Sequence, residues 1–424
     1  MTQATEVKKK YKVEALGCRT NQYEAQAFRD QLSQMGYEPC KEGDVADLCI
    51  VNTCTVTESA DSSSRHLIRS LAKQNPDAEV VVTGCLAERD PKLISSLGVV
   101  DKVVSNKDKE KLIQDLFPEA DVPEFSIKHF DAHTRAFVKA QDGCNSFCTY
   151  CIIPYVRGRS RSRTIDEVVN EVKELVKSGY KEVVLTGINI GDFDGGQEGS
   201  QHRLHHLVRA VDAVDGLERI RVSSIDPDEI DDELTDAILN GKKTCHSMHI
   251  VLQAGSNVIL KRMNRKYTRQ IFLDTVRRLK NISPDFTVTT DIIVGFPGET
   301  EQDFQETLEV ISEVEFAKVH MFPYSDRPRT RAYLYPNKVP PDVMKERKSK
   351  VLKLAEEVSF HLRQRYVGKR MTILTEEMQS ESELFGHTEN FLGAIIPKGN
   401  LGVNQLVEVE FIKNSAEGLI GRPL

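Results

Sequence analysis

No stretch of the 424 residues approaches the run of about 20 consecutive apolar residues that crosses a bilayer. The opening MTQATEVKKKYK has lysines but lacks the apolar run of a secretion signal, so the chain reads as soluble and cytoplasmic, with no membrane partner. Basic charge is in deficit too. With 57 Lys and Arg against 64 Asp and Glu the net charge is −7, which excludes a basic nucleic-acid coat and confines any RNA site to a local patch. Low-complexity tracts and internal repeats are lacking, and 39% hydrophobic with 29% charged residues is neither a disordered nor a fibrous composition. What is present is length for about two to four domains.

Residues 9–122 alternate strand-like runs (YKVEALGC, DLCIVNTC, AEVVVTGC) with helical patterns, the order of a Rossmann-like parallel α/β domain. The helix after the first run has Ala25, Phe28, Leu32 and Met35 on one face and opens with Asn21 and Glu24 at capping-box spacing. FPEADVPEFSIKHFDAH then reads as a polar linker. Over 130–366, six candidate strands (RAFVKA, EVVLTG, RIRVSS, SMHIVLQ, FTVTTDIIVG, AKVHMF) alternate with helical segments such as DEVVNEVKELVKSG and EQDFQETLEVISEV, which predicts a partial (β/α)6 barrel of the TIM type. A charged helix runs from about Pro341 to Tyr366. Residues 368–424 turn to period 2, clearest in Val407, Val409 and Phe411, and predict a small antiparallel β-barrel.

The nine cysteines do not have the spacing of a secreted disulfide scaffold, so thiols or metal ligands are expected. Cys144, Cys148 and Cys151 form a C-x3-C-x2-C loop after the first strand of the barrel. Three thiolates so close can cap three corners of an iron–sulfur cube and leave one iron open. Structural zinc, the alternative, wants a fourth ligand; no cysteine follows for ninety residues, and His133 stands eleven residues before Cys144. Cys18, Cys54 and Cys85 are dispersed, each closing an apolar strand, with separations of 36 and 31 residues. One βα unit per interval brings all three to the carboxyl ends of parallel strands, where α/β sheets bind ligands; three separately buried thiols are the plainer alternative. Cys40, Cys49 and Cys245 fit neither set and are assigned to packing. Two sets of three, with an open iron each, point to catalysis over electron transfer.

The loop DGCNSFCTYCIIPYVRGRSRSR resembles that of radical S-adenosylmethionine (radical SAM) enzymes, and LGCRTNQYE, VNTC, TGC, LTGINIG and IVGFPGET resemble the methylthiotransferases among them. The likeness runs over nearly the whole chain and is greatest to the bacterial tRNA N6-threonylcarbamoyladenosine methylthiotransferases. It implies a radical SAM barrel in the centre and an RNA-binding TRAM barrel at the end. It further implies a [4Fe-4S] cluster on Cys144, Cys148 and Cys151 whose open iron chelates S-adenosylmethionine, reductive cleavage to a 5′-deoxyadenosyl radical, and an auxiliary [4Fe-4S] cluster on Cys18, Cys54 and Cys85 that carries the sulfur. Such chemistry requires both open corners to share one chamber. An adenine C2–H offers neither an acidic proton nor a leaving group, so cofactors must carry the difficult step.

By the same resemblance Tyr150 packs near the adenosyl group; an aromatic plug beside the cluster is the alternative. Gly187, Asn189 and Gly295 fall at strand carboxyl ends, where barrel sites form, although a glycine there commonly serves only a turn. GFPGET lacks the Lys-Ser/Thr of a phosphate loop. HIVLQAGS has Val251 where the family pattern has Ser. Arg157, Arg159, Arg161 and Arg163 alternate and would share one side of an extended segment, and Lys261–Lys280 holds eight basic residues against one acidic. Both are candidates for phosphate contact, the arginines also for a cofactor carboxylate, and the helical run equally for a solvated face. The terminal 57 residues carry five basic and eight acidic side chains, so RNA binding there would rest on shape and on aromatics such as Phe385 and Phe391, unless the barrel mainly packs on the catalytic domain.

The implied activity is methylthiolation of threonylcarbamoyladenosine at position 37 of tRNA, with a sulfur donor and a reducing electron donor as further partners. Isopentenyladenosine in tRNA and a ribosomal-protein aspartate are alternative targets. A metal-stabilised RNA-binding protein without catalysis is the alternative of another class.

Overall fold

The computed structural model describes residues 9–130, 134–197 and 199–424; His133 lies outside them. The chain forms two compact units. Met1–Asp131, Cys151–Arg159 and Ser325–Thr330 make the first, and Ala132–Tyr150, Ser160–Tyr324 and Arg331–Leu424 the second.

The first unit is built on β1 (Lys10–Ala15), β2 (Glu38–Pro39), β3 (Leu48–Thr53), β4 (Glu79–Gly84) and β5 (Lys102–Val103), all parallel and ordered β2-β1-β3-β4-β5. β3 and β4 are near-continuous apolar runs because both sheet faces are covered. Phe28 and Leu32 of the Arg19–Gln34 helix pack on one face with Val13 and Ile50; Ile68 and Leu71 of the Glu58–Gln74 helix pack on the other with Val51 and Val82. The expected capping box is absent. The first of these helices begins at Arg19 behind Cys18, with no side-chain cap. The stretch read as a linker is a docked strap: Phe125 packs on Phe28, the amides of Lys128 and His129 donate to Asp30, and Ile127 and Phe130 are buried.

In the second unit, β6 (Arg135–Lys139) is followed by a short antiparallel pair, β7 (Gln141–Asp142) and β8 (Arg161–Ser162). Then come β9 (Glu182–Thr186), β10 (Arg219–Ile225), β11 (Thr244–Ile250), β12 (Thr287–Val294) and β13 (Lys318–Pro323). The six long strands are parallel in the order β13-β12-β11-β10-β9-β6, the partial barrel expected from the six-fold alternation. The Ile165–Lys177 helix starts on a capping box of Thr164 and Glu167, which satisfies two otherwise orphaned backbone amides.

The charged helix spans Pro341–Gln364 and leads into β14 (Arg370–Met378), β15 (Glu383–Thr388), β16 (Gly393–Pro397), β17 (Leu406–Asn414) and β18 (Leu419–Pro423). These close as β14-β15-β16-β18-β17 around Ile373, Leu384, Ile396, Val409 and Phe411. The terminal barrel seats on the amino-terminal ends of the parallel strands. Arg219 donates to the carbonyls of Thr372 and His387, Arg221 to those of Thr388 and Glu389, and Asn390 to that of Asp285. No helix among the described residues is long and apolar enough to cross a membrane.

Candidate active site

β1, β3 and β4 are neighbours, and their register pairs Ala15 with Asn52 and Thr53 with Gly84. Cys54 and Cys85 therefore leave the sheet level with each other, and Cys18 leaves β1 through the Leu16-Gly17 turn beside them. Gly17 has φ +97°, and a Cβ there would lie 2.8 Å from the Cys54 sulfur, so the turn runs directly over that thiol. Burial pushes the Cys54 thiol up to about 12 and raises Cys85 also, while each of these thiols feels the charge of Cys18.

Two buried carboxylates organise the ground beneath. Glu24, with no exposure, meets Lys109 Nζ at 2.5 Å and Arg157 Nη1 at 3.0 Å, and its second oxygen accepts from Asn52 at 2.9 Å. Asn21 accepts from Arg157 and donates to the Thr53 carbonyl. Asn106 donates to the Cys85 sulfur at 3.8 Å and to the Val156 carbonyl. Asp61, 5% exposed, takes the Thr55 hydroxyl at 2.5 Å, Arg89 at 2.8 Å and Arg327 at 2.6 Å. Two of these cations, Arg157 and Lys109, act on the thiols directly, both on Cys85 and Arg157 also on Cys54. A thiolate-bound iron–sulfur cluster is anionic overall, and two nearby cations suit it. Among the described residues no three His, Cys, Asp or Glu side chains group as ligands of a single ion. A cube, taking one thiolate at each of three corners, asks for three thiols spread around one face, and the donors here are all sulfur.

The second trio sits on the loop after β7. Its backbone is pinned at Thr149, whose N–H donates to the Met263 carbonyl (2.9 Å), whose hydroxyl donates to the Arg262 carbonyl (2.8 Å), and whose own carbonyl accepts from Ala332 N–H (2.8 Å). Asn264 holds the Phe147 carbonyl, and Phe147 itself takes a left-handed φ of 47°. Burial raises the Cys144 thiol. Arg265 reaches Cys148 Sγ at 2.9 Å and pairs with Asp226 at the end of β10. Beside it Glu229 accepts from Asn189 Nδ2 at 2.9 Å, and burial, with Asp226 nearby, pushes its carboxyl up to about 7.

Asn189 follows the carboxyl end of β9, with its side-chain amide on Glu229. Gly187 leaves room for Gln141, whose amide oxygen accepts from Ile188 and Asn189 N–H; Gly295 leaves room for Met344 and donates to Glu299. Tyr150 packs edge-on against Phe296 in an apolar cluster with Ala332 and Tyr335.

The arginine series departs from expectation. Arg157 caps the short Ile153–Val156 helix, so the four do not share one extended face, and its guanidinium is buried on Glu24 and Asn21, out of reach of a phosphate. Arg161 pairs with Asp142 and Arg163 with Glu171. In the Lys261–Lys280 run Arg269 pairs with Glu309, Arg277 with Glu313 and Arg278 with Asp232, while Arg262 and Lys280 donate to the carbonyls of Pro297 and Val314. Phe391 is stacked on His387, with Arg135 and Arg221 over its ring, and belongs to the seat of the terminal barrel.

Residues 138–311 match the family described as the radical SAM superfamily, and residues 10–105 match one described as uncharacterized protein family UPF0004. The chain is 48% identical over 419 residues to the "Threonylcarbamoyladenosine tRNA methylthiotransferase MtaB" of Chlamydia pneumoniae, covering 98% of each chain. It is 38% identical to the protein of that name from Bacillus subtilis (94% of this chain, 92% of that one). The chain belongs to the MtaB family of radical SAM methylthiotransferases. A more distant relative, 34% identical over 97% of this chain and 96% of its own, is the "tRNA-2-methylthio-N(6)-dimethylallyladenosine synthase" of Clostridium botulinum. Among solved structures, the radical S-adenosylmethionine methyltransferase TsrM of Kitasatospora setae aligns with a TM-score of 0.54 at 13% identity, over 89% of this chain and 81% of that one, which shows a shared fold.

In this methylthiotransferase the sequence reading missed three groups at the sites. Glu24 is hidden because a charged residue three after Asn21 looks like a cap, and Lys109 because no periodicity links it to a partner 85 residues earlier. Arg265 was hidden inside a run of eight cations. Asp226 and Glu229 follow β10 as Gly187 follows β9, at the strand ends where such barrels place their reactive groups.

Proposed function

We propose that this chain methylthiolates N6-threonylcarbamoyladenosine at position 37 of tRNA to the 2-methylthio derivative. The carrying observation is 48% identity over 98% of both chains to a protein named for that substrate. In this reading Cys144, Cys148 and Cys151 hold one [4Fe-4S] cluster, and Cys18, Cys54 and Cys85 hold an auxiliary one. When bound, the clusters and S-adenosylmethionine supply the electron, the radical and the sulfur that an adenine C–H cannot obtain by acid–base chemistry. Thr149, pinned on three sides, orients the cysteine loop; Arg265 offsets the thiolate charge of Cys148; Asn189, Glu229, Gly187 and Gly295 line the S-adenosylmethionine side, with Tyr150 as the apolar wall. Arg157 with Lys109 offsets the auxiliary thiolates. Arg159, Arg161 and Arg163 remain the candidates for RNA phosphates.

Domain limits of 9–122, 130–366 and 368–424 go with this reading, as do a sulfur donor, a reducing electron donor and a cytoplasmic location. Nucleoside mass spectrometry of tRNA from a strain lacking the gene tests it. The 2-methylthio derivative should vanish, with threonylcarbamoyladenosine accumulating, and should return with the wild-type chain but not with Cys54→Ala or Cys148→Ala. An unchanged nucleoside profile would overturn it.

A further inference from the structure

One surface segment carries the charge pattern of an RNA site. Residues 327–338, RPRTRAYLYPNK, hold four cations, two tyrosines and no acid on a chain of net charge −7. Arg327 is committed to Asp61 and Arg329 lies over the Tyr155 ring. The remainder is a short 3-10 turn, Arg331–Leu334, and the residues up to Lys338.

This turn is built to hold its shape. Ala332 is buried with Met263 and Phe296, and its N–H donates to the carbonyl of Thr149, the residue after Cys148. Lys338 Nζ donates to the carbonyls of Ala332 (3.0 Å) and Tyr333 (3.1 Å) and lies over the rings of Tyr324 and Tyr333. Arg262 covers Tyr335. Yet the two side chains at the crest point into solvent: Tyr333 is 46% exposed and Leu334 80%. Arg331 is exposed beside them. A stapled backbone that displays a tyrosine, a leucine and an arginine next to the cysteine loop, at the carboxyl ends of the strands, has the chemistry that single-stranded RNA recognises. A flat ring receives an unstacked base, and a guanidinium receives a phosphate.

We propose that the 331–338 turn is a contact surface for the single-stranded loop of the RNA substrate, with Tyr333 and Leu334 against a base and Arg331 on the backbone. This rests on the tRNA reading above. RNA is favoured over a protein partner because the segment has no acidic residue and lies where the target adenosine must arrive.

The test is binding of an anticodon stem–loop RNA carrying threonylcarbamoyladenosine to the full-length, cluster-reconstituted chain, by fluorescence anisotropy. Tyr333→Ala should raise Kd roughly 5- to 100-fold, the range of one stacking contact, and Tyr333→Phe should restore it. Arg331→Gln should lower the slope of log affinity against log salt by about one. Equal melting temperatures exclude misfolding. Wild-type affinity in Tyr333→Ala, or an altered oligomeric state in its place, assigns the turn to protein contact and overturns the inference while the tRNA reading stands. No RNA binding by the wild-type chain overturns both.

Discussion

Glu24 has no solvent, and Lys109 and Arg157 both reach it to compensate a buried carboxylate. Removing one cation leaves the other to hold the charge, so Arg157→Gln should cost about 3 kcal/mol, the lower end of the range for breaking a buried pair. It also withdraws positive charge that favours ionised Cys54 and Cys85. Iron bound per chain after anaerobic reconstitution should therefore fall toward the content of the Cys144–Cys151 cluster alone, and the melting temperature should drop. Glu24→Gln with Arg157→Gln should be milder than the two losses summed, since the pair is then absent together. Unchanged melting and unchanged iron in Arg157→Gln would contradict this account. The pattern N-x-x-E at 21–24 could not reveal the role, because the three-residue spacing that lets a side chain cap a helix also puts both residues on one inward face.

Strands, by contrast, were legible. β3, β4, β9 and β12 are largely apolar runs closed by Thr or Gly, and parallel sheets covered on both faces leave little else for such runs to be. The strand-end rule then placed Cys18, Cys54 and Cys85 at one edge of the sheet from spacing alone. What spacing cannot convey is the backbone that delivers them. Gly84 has φ +97°, and a Cβ there would stand 2.4 Å from the Thr53 backbone nitrogen, so neither side can yield without moving β3 or β4. Gly84→Ala should displace Cys85, lose auxiliary-cluster iron and destabilise by well over 1 kcal/mol. Gly36→Ala is the control: φ is +88° but no atom lies within 4 Å, so only backbone strain of about 1 kcal/mol is expected, with full iron content. Equal iron loss in both would show that the close approach does not matter. Long-range ion pairs such as Asp61 with Arg327 join residues 266 apart, and no periodicity encodes them.

On the scale of the catalytic unit, the two ends of the parallel strands do different things. The carboxyl ends carry the cysteine loop, Asn189 and Asp226; the amino ends carry Arg135, Glu182, Arg219 and Arg221, whose charges and donors are taken up by the terminal barrel. Residues at the amino face of such barrels stabilise and those at the carboxyl face react, which explains how a terminal barrel of net charge −3 is useful: its docked edge offers carbonyls and Glu376 to arginines. Phe391 follows from this. Its ring lies 4.5 Å from that of His387 and nearly parallel to it, and two guanidinium groups sit over it at 5.5 and 5.2 Å. A base cannot stack where those groups already are. Phe391→Ala should therefore lower stability by about 3 kcal/mol, the lower end for truncating a packed aromatic, since the ring is only partly buried, and should loosen the barrel, seen as faster proteolysis near Gly368. The Kd for the stem–loop RNA should stay within about twofold of wild type, below the loss that one stacking contact carries. A larger loss of RNA affinity with stability intact would mean that the barrel releases this face to read bases, and the docking described here would be only one of its states.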